Sequence, residues 1–294
     1  MEPSAVDALL CPVCGLEFME PLPGETALKC IDGHSFDIAR QGYVNLLTGH
    51  GTKFSQDTAD MVAARDAFLD AGHYRPLAEV LAAIVGSALA ASAARSPGTT
   101  PLLLDAGTGT GWYLQQVRES IPVQGADTFA AVGLDISKFA LRRAARRNPE
   151  AANLVWDLWQ PLPVEAGRAD AVLVVFAPRN ASEFARVLRP EGRLVVVTPR
   201  PGHLFEIAQE AGMLGIQAEK EANLVESLAG YFALESATPV TIPLLLAPAD
   251  VRNVALMGPA GHHAAARELA GTLAGLPEST RATAEFIIST FRPR

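Results

Sequence analysis

Leu102-Leu103-Leu104-Asp105-Ala106-Gly107-Thr108-Gly109-Thr110-Gly111-Trp112-Tyr113-Leu114 is the stretch on which the fold turns. A short apolar run carrying an acid leads into three glycines at alternate positions, and the residues from Trp112 to Ile121 then take a helical pattern. This predicts a buried strand, a tight turn and a helix, with Gly107 and Gly109 letting the backbone bend and approach a ligand without Cβ clashes. The spacing is G-x-G-x-G. It differs from the G-x-G-x-x-G of dinucleotide sites, and no Lys-Ser/Thr follows as a Walker A loop requires.

Working outward, AVGLD at 131–135, NLVW at 153–156, ADAVLVVFA at 169–177 and RLVVVTP at 193–199 read as further strands. Between them SKFALRRAARR at 137–147 and ASEFARVL at 181–188 read as helices, and RPEG at 189–192 as a turn. Near-continuous apolar strands alternating with helices predict a parallel sheet covered on both faces, a doubly wound α/β (Rossmann-like) domain. FALESATPVTIPLLL at 232–246 and AEFIISTF at 284–291 are strand material around a helical pattern at 250–274, which suits an antiparallel edge. Upstream, Asp57 is a candidate cap for a helix with Met61, Ala64, Phe68 and Leu69 on one stripe and Gly72 at its end. A second helix is expected from near Pro76, and SPGTTP at 96–101 is the clearest linker. The expected division is a metal-binding module at 1–50, a helical connector at 51–97 and the α/β domain at 98–294.

Three carboxylates mark the ends of the first three strands of that domain. Asp105 precedes the glycine loop, Asp135 ends the second strand and Asp157 follows the third. A carboxylate at the second strand end accepts both ribose hydroxyls of an adenosine, and Asp157 is placed to reach an adenine amino group. Three acids disfavour a pyrophosphate and favour a cationic adenosine cofactor, S-adenosylmethionine, with Asp105 toward its methionine end. Gly107, Thr108, Gly109 and Gly111 of the loop, Ile136 and Leu158 beside the acids, and Ala177 at the fourth strand end complete the expected cofactor set. The loop Phe176-Ala177-Pro178-Arg179-Asn180 lies on the reactive face, the carboxyl ends of the strands. Arg179 and Asn180 are the candidates for positioning a methyl acceptor; a surface charge and a helix cap are the equally weighted alternatives.

All three cysteines lie in the first thirty residues, as Cys11-Pro-Val-Cys14 and Cys30-Ile-Asp-Gly-His34. Zinc takes four tetrahedral thiolate or imidazole ligands, and Cys3His is a common closed structural set. The surrounding segment, about 10–47, is rich in Gly and Pro and poor in apolar residues. It is expected to need the metal as its staple.

The 294 residues are 49% hydrophobic, enough for a sizeable core. With 24 basic and 32 acidic residues the net charge is −8, which excludes a uniformly basic, nucleic-acid-coating protein but not a local patch. Lys138, Arg142, Arg143, Arg146 and Arg147 form one candidate basic helix face. Residues 1–60 hold three Lys/Arg against nine Asp/Glu. The first ten residues contain Glu2 and Asp7 and no basic stretch, and the Ala-rich run from Val80 to Ala94 reads as a buried helix. A cytoplasmic protein with no membrane partner is expected.

The chain resembles the bacterial 23S rRNA (guanine-N1)-methyltransferases, including those of the tylosin and mycinamicin resistance type. The resemblance is carried by CPVCG at 11–15, HSFDIARQGYVNLL at 34–47, the VAARDAFLDAGHYRPL stretch ending at 77, LLDAGTGTGWYL, GLDISK, VFAP, ARVLRPEG, His203-Leu204 and Met257-Gly258-Pro259. It implies a class I methyltransferase hinged to a zinc module, working as a homodimer on N1 of a guanosine in a 23S rRNA domain II hairpin, with macrolide resistance as one outcome. It also implies cofactor contacts from Tyr74, Tyr113, Leu114 and His203. A small-molecule or peptide methyltransferase on the same scaffold is the alternative, and a non-catalytic cofactor-binding module is a third.

Overall fold

The computed structural model describes residues 1–22, 24–49, 54, 56–121, 129–208, 220–258 and 277–294. The stretch that opens the sequence reading forms β4 (Leu102–Ala106) and α4 (Trp112–Ser120). The strands that follow are β5 (Ala130–Asp135), β6 (Ala152–Val155), β7 (Ala169–Val175) and β8 (Leu188–Pro199), and late in the chain come β9 (Phe232–Leu246) and β10 (Thr280–Pro293). With β3 (Tyr43–Asn45) they make one eight-stranded sheet in the order β3-β6-β5-β4-β7-β8-β10-β9. The neighbours from β3 to β8 pair in parallel, while β10 lies antiparallel between β8 and β9. The doubly wound sheet with an antiparallel edge is therefore as the sequence predicts.

Period-two alternation sorts the side chains to two cores. Leu103, Ala131, Leu173 and Val195 face the side covered by α3 (Arg75–Arg95), α4 and α9 (Pro248–Met257). Leu104, Val132, Leu154, Val172 and Val196 face the side covered by α6 (Ala181–Val187), by α8 (Lys220–Leu228) and by the N-terminal segment. Because each central strand is buried on both faces, it reads as an unbroken apolar run. Among the described residues α3 is the helix long and apolar enough to cross a membrane, but its Leu77, Leu81, Val85 and Leu89 are packed in the core.

Several local expectations change. The cap of α2 (Ala59–Asp70) is Thr58, whose hydroxyl accepts from the Met61 N–H at 3.2 Å. Asp57 instead pairs with Arg65 at 2.6 Å, because a carboxylate finds a stronger partner in a guanidinium than in an amide. Residues 189–192, read as a turn, lie inside β8, and the register with β7 shifts between Ala169 and Ala171 to admit them. The helix expected at 250–274 is seen at Pro248–Met257, and residues 259–274 lie outside the described residues.

The N-terminal segment begins with α1 (Pro3–Val6) and the hairpin of β1 (Ala27–Lys29) and β2 (Ser35–Asp37). Poor in apolar residues by itself, it borrows the core of the α/β domain: Val6, Leu9, Phe18, Leu28 and Val44 join the cluster that covers one sheet face. Its last strand, β3, pairs with β6 through Tyr43↔Asn153 to Asn45↔Val155. Sequence reading found no strand there, since three residues with one buried side chain give no periodic signal.

Candidate active site and metal centre

At the carboxyl ends of β4 and β5 the backbone turns through three glycines with positive φ: Gly107 (+89°), Gly109 (+56°) and Gly111 (+74°). Each does a different job. A Cβ on Gly107 would sit 2.2 Å from the Cβ of Ala177, so the glycine is what lets the β4 and β7 loops close on each other. A Cβ on Gly111 would strike the Ala144 Cα at 2.7 Å, so this one lets α4 start against α5 (Lys138–Arg147). A Cβ on Gly109 would meet nothing within 4 Å, which makes it the open side of the loop. The turn is held by the amides of Gly107 and Thr108 donating to the Leu134 carbonyl at 2.8 and 2.9 Å. Asn148 Nδ2, donating to the Gly111 carbonyl at 2.8 Å, adds a strut from just beyond the basic helix that sequence reading did not find.

The carboxylates differ in their settings. Asp105 is almost wholly buried and accepts from the Thr108 hydroxyl at 2.6 Å. Burial lifts its carboxyl from 3.8 to about 7; the Thr108 bond pulls down against this and the charge of Asp135 adds to the rise. One oxygen of Asp135 accepts from the Gly109 amide at 2.9 Å and the other from the Ser137 amide at 2.8 Å. A carboxylate has about four lone-pair sites, so both oxygens keep capacity for a ligand's two hydroxyls. Burial pushes this carboxyl up too, against the pull of those amides and of the Arg65 charge. Asp157 accepts from the Trp159 amide at 3.0 Å and is itself buried.

On the α2–α3 side the geometry joins two residues 129 positions apart. The backbone amide of Glu285 donates to His203 Nδ1 at 3.1 Å, which leaves the ring hydrogen of neutral His203 on Nε2, 3.4 Å from the Tyr74 hydroxyl. Burial drives the imidazole pKa down to about 4, so the ring is neutral at physiological pH. Phe286 packs between them, with ring centroids 4.9 Å from Tyr74 and 4.7 Å from His203. Phe286 escaped the sequence reading because, as one apolar residue in a strand, nothing marked it off from core. Arg65 on α2, whose charge reaches Asp135, also escaped, because that acid lies 70 positions further along the chain.

The predicted acceptor residues part company. Asn180 caps α6 with its Oδ1, 3.5 Å from the Glu183 amide, and ties its Nδ2 to the Leu158 carbonyl at 3.0 Å. Its amide is thus committed to joining the β6 and β7 loops. Arg179 is half-buried, has no hydrogen-bond or ion-pair partner among the described residues, and has its pKa lowered by desolvation. The basic face of α5 also divides. Arg143 pairs with Asp66 at 3.2 Å, and Arg147 with Asp66 at 2.8 Å and Asp70 at 2.7 Å, while Lys138, Arg142 and Arg146 stay exposed.

These residues fit S-adenosylmethionine. The hydroxyls of Thr110 and Tyr113 are buried without a hydrogen-bond partner among the described residues, and Gly109 leaves room above the loop. Ile136 and Leu158 stand beside the acids, whereas the Leu114 side chain is fully buried in the core. In the N-terminal segment the ligand atoms of Cys11, Cys14, Cys30 and His34 lie within 4.8 Å of one another. Cys14 Sγ is 3.7 Å from Cys30 Sγ, and Cys30 Sγ is 3.4 Å from His34 Nδ1. Zinc–sulfur bonds of about 2.3 Å at the tetrahedral angle give sulfur–sulfur edges of about 3.8 Å. The donor set and its spacing therefore suit a closed structural zinc site.

Comparison with known proteins agrees with both halves. Residues 9–51 match the zinc-ribbon family described as RlmA, N-terminal, and residues 103–192 match the methyltransferase domain family. A 23S rRNA (guanine(748)-N(1))-methyltransferase of Streptomyces fradiae is 41% identical over 293 residues, covering 100% of this chain and 99% of that one. A Micromonospora griseorubida protein, provisionally named a 23S rRNA (guanine-N(1)-)-methyltransferase, is 40% identical over 301 residues, with both chains covered in full. YxjB of Bacillus subtilis (strain 168), provisionally named in the same way, is 30% identical over 200 residues, 68% of this chain and 67% of its own. S-adenosylmethionine and zinc, expected from the residues, are the cofactors that these two domains call for. The ribbon and the methyltransferase domain, in one chain matched from end to end, show that this protein belongs to the 23S rRNA (guanine-N1)-methyltransferases.

Proposed function

We propose that this chain methylates N1 of one guanosine in a hairpin of 23S rRNA domain II, acting as a homodimer in the cytoplasm, with macrolide resistance as a consequence. The observation that carries the reading is the full-length match, at 41%, to a relative named for N1 of guanine 748. Bound S-adenosylmethionine supplies a methyl carbon activated by its sulfonium, so transfer is an in-line displacement by N1 that leaves a neutral thioether.

The chain's own residues align and desolvate that event. Asp135 holds the ribose hydroxyls, and Asp157 and Leu158 with Ile136 border the adenine. Gly107, Thr108, Gly109 and Gly111 carry the cofactor past Asp105, with Tyr113 and the Leu114 backbone at the start of α4. Tyr74, receiving the His203 Nε2 hydrogen, keeps its own hydroxyl hydrogen for the cofactor's methionine end. On the other side of Ala177 stands Arg179. Guanine N1 is protonated at neutral pH, and once its proton has passed to solvent the negative charge falls largely on O6; a half-buried guanidinium without a partner among the described residues is the group that stabilises it. Cys11, Cys14, Cys30 and His34 hold zinc as a structural ion. Primer extension on ribosomal RNA from cells with and without the gene tests the reading: methylation at N1 stops reverse transcriptase at one position in domain II, and identical patterns from both would sink it.

A further inference from the structure

The loop that follows β7 holds a phenylalanine in a conformation phenylalanine avoids. Phe176 has φ +56°, one of two positive-φ non-glycine residues among those described. A bulky side chain there is a backbone outlier that only its surroundings sustain. Its amide is pinned to the Val197 carbonyl at 3.2 Å, and the next residue, Ala177, is the one that Gly107 admits. The ring is backed by Phe286 at 5.5 Å and Tyr113 at 6.4 Å, yet 46% of the residue remains exposed. A strained backbone thus turns a large apolar ring outward at the carboxyl ends of the strands, one residue from the Ala177 that packs on the glycine loop and three from Arg179, which has no partner among the described residues.

An apolar ring held open beside a methyl donor suits a flat partner. N1 lies in the plane of guanine, so in-line attack brings the base to the methyl group edge first, and its face must rest on a wall. RNA loops are read by stacking unpaired bases on aromatic side chains. We infer that Phe176 is the platform on which the target guanine stacks, an inference that rests on the RNA reading above. Arg179 then lies near the edge of the same base that carries O6.

The test uses the zinc-loaded full chain, S-adenosylmethionine and a domain II hairpin transcript. Phe176→Leu keeps bulk and removes the π face; Phe176→Tyr keeps the face. Stacking is expected to make the leucine variant roughly ten- to a hundredfold poorer in kcat/KM for RNA, with the tyrosine variant within about threefold of wild type. Cofactor affinity by calorimetry stays within about twofold in both. A second measurement does not depend on the leucine variant folding: in Phe176→Trp the added indole emission is quenched by the hairpin beyond the quenching of the native tryptophans. A leucine variant as active as wild type, equal losses in leucine and tyrosine variants, a parallel loss of cofactor affinity, or no added quenching would each overturn the platform. If instead the wild-type chain methylates no 23S rRNA, it is the function reading that fails.

Discussion

The two walls of the crevice are built differently. On the cofactor wall, Asp105 and Asp135 each accept hydrogen bonds from the glycine loop itself, so the ligand finds charges already oriented. On the wall proposed for the acceptor, Phe176 is about half exposed and Arg179 has no partner among the described residues. The first wall holds its acids in place by itself; the second, on the proposed reading, is completed by the substrate. Preorganisation on the first side favours tight cofactor binding, while the second leaves charge and ring faces for groups that enter from solution.

The sharpest way to break this contrast is at Gly107. In Gly107→Val, the new Cβ falls 2.2 Å from Ala177 at a φ of +89°, so strain and overlap together should weaken cofactor binding. Overpacking of this kind costs about 1–3 kcal/mol and the left-handed backbone about 1–2 more, which predicts about a hundredfold loss or greater in calorimetric affinity. Arg179→Ala should do the reverse: cofactor affinity unchanged, and kcat on RNA down by roughly ten- to a hundredfold, the worth of a charge-assisted hydrogen bond. A matched fall in cofactor affinity would put Arg179 on the wrong wall.

Asp105 sharpens the comparison through pH. Its pKa of about 7 in the fold stands above the ordinary 3.8, so the folded state holds its proton more tightly than the unfolded chain. The stability this gives is present below about pH 4 and is lost as pH rises toward 7, by at most about 1.4 kcal/mol per pH unit. Melting in the absence of cofactor should show that slope in wild type and a flatter one in Asp105→Asn; parallel slopes would refute it.

The smallest effects concern α5. Arg142→Ala should weaken RNA binding and lower the salt slope by about 0.7–0.9, as loss of one phosphate contact does. Arg147→Ala, which removes pairs with Asp66 and Asp70, should leave that slope alone and cost below about 1 kcal/mol in stability. Equal salt slopes for the two variants would deny the division of that face.

Much of this was legible in the chain because strand-to-helix turns with glycines and acids leave a local trace. LLLDAGTGTGW specifies strand, turn and helix within a dozen residues, and the zinc ligands sit in two compact pairs. What stayed hidden depends on distant partners. Tyr74 and His203 came only from family resemblance, their contact across 129 positions only from the structure, and Phe286 was one apolar residue among many. The acids of α2 that neutralise Arg143 and Arg147 lie about eighty residues away, so the helix read alone looked more basic than it is.

The pairing of β3 with β6 has a consequence for handling the protein. That strand is the outermost of its flank, and it arrives by way of the metal-held hairpin. If chelation lets residues 1–49 come loose, the amides and carbonyls of β6 lose their cover, and a bare sheet margin recruits strands from other molecules. Demetallated preparations should scatter light before they lose secondary structure, with the ribbon serving as a guard against edge-to-edge aggregation.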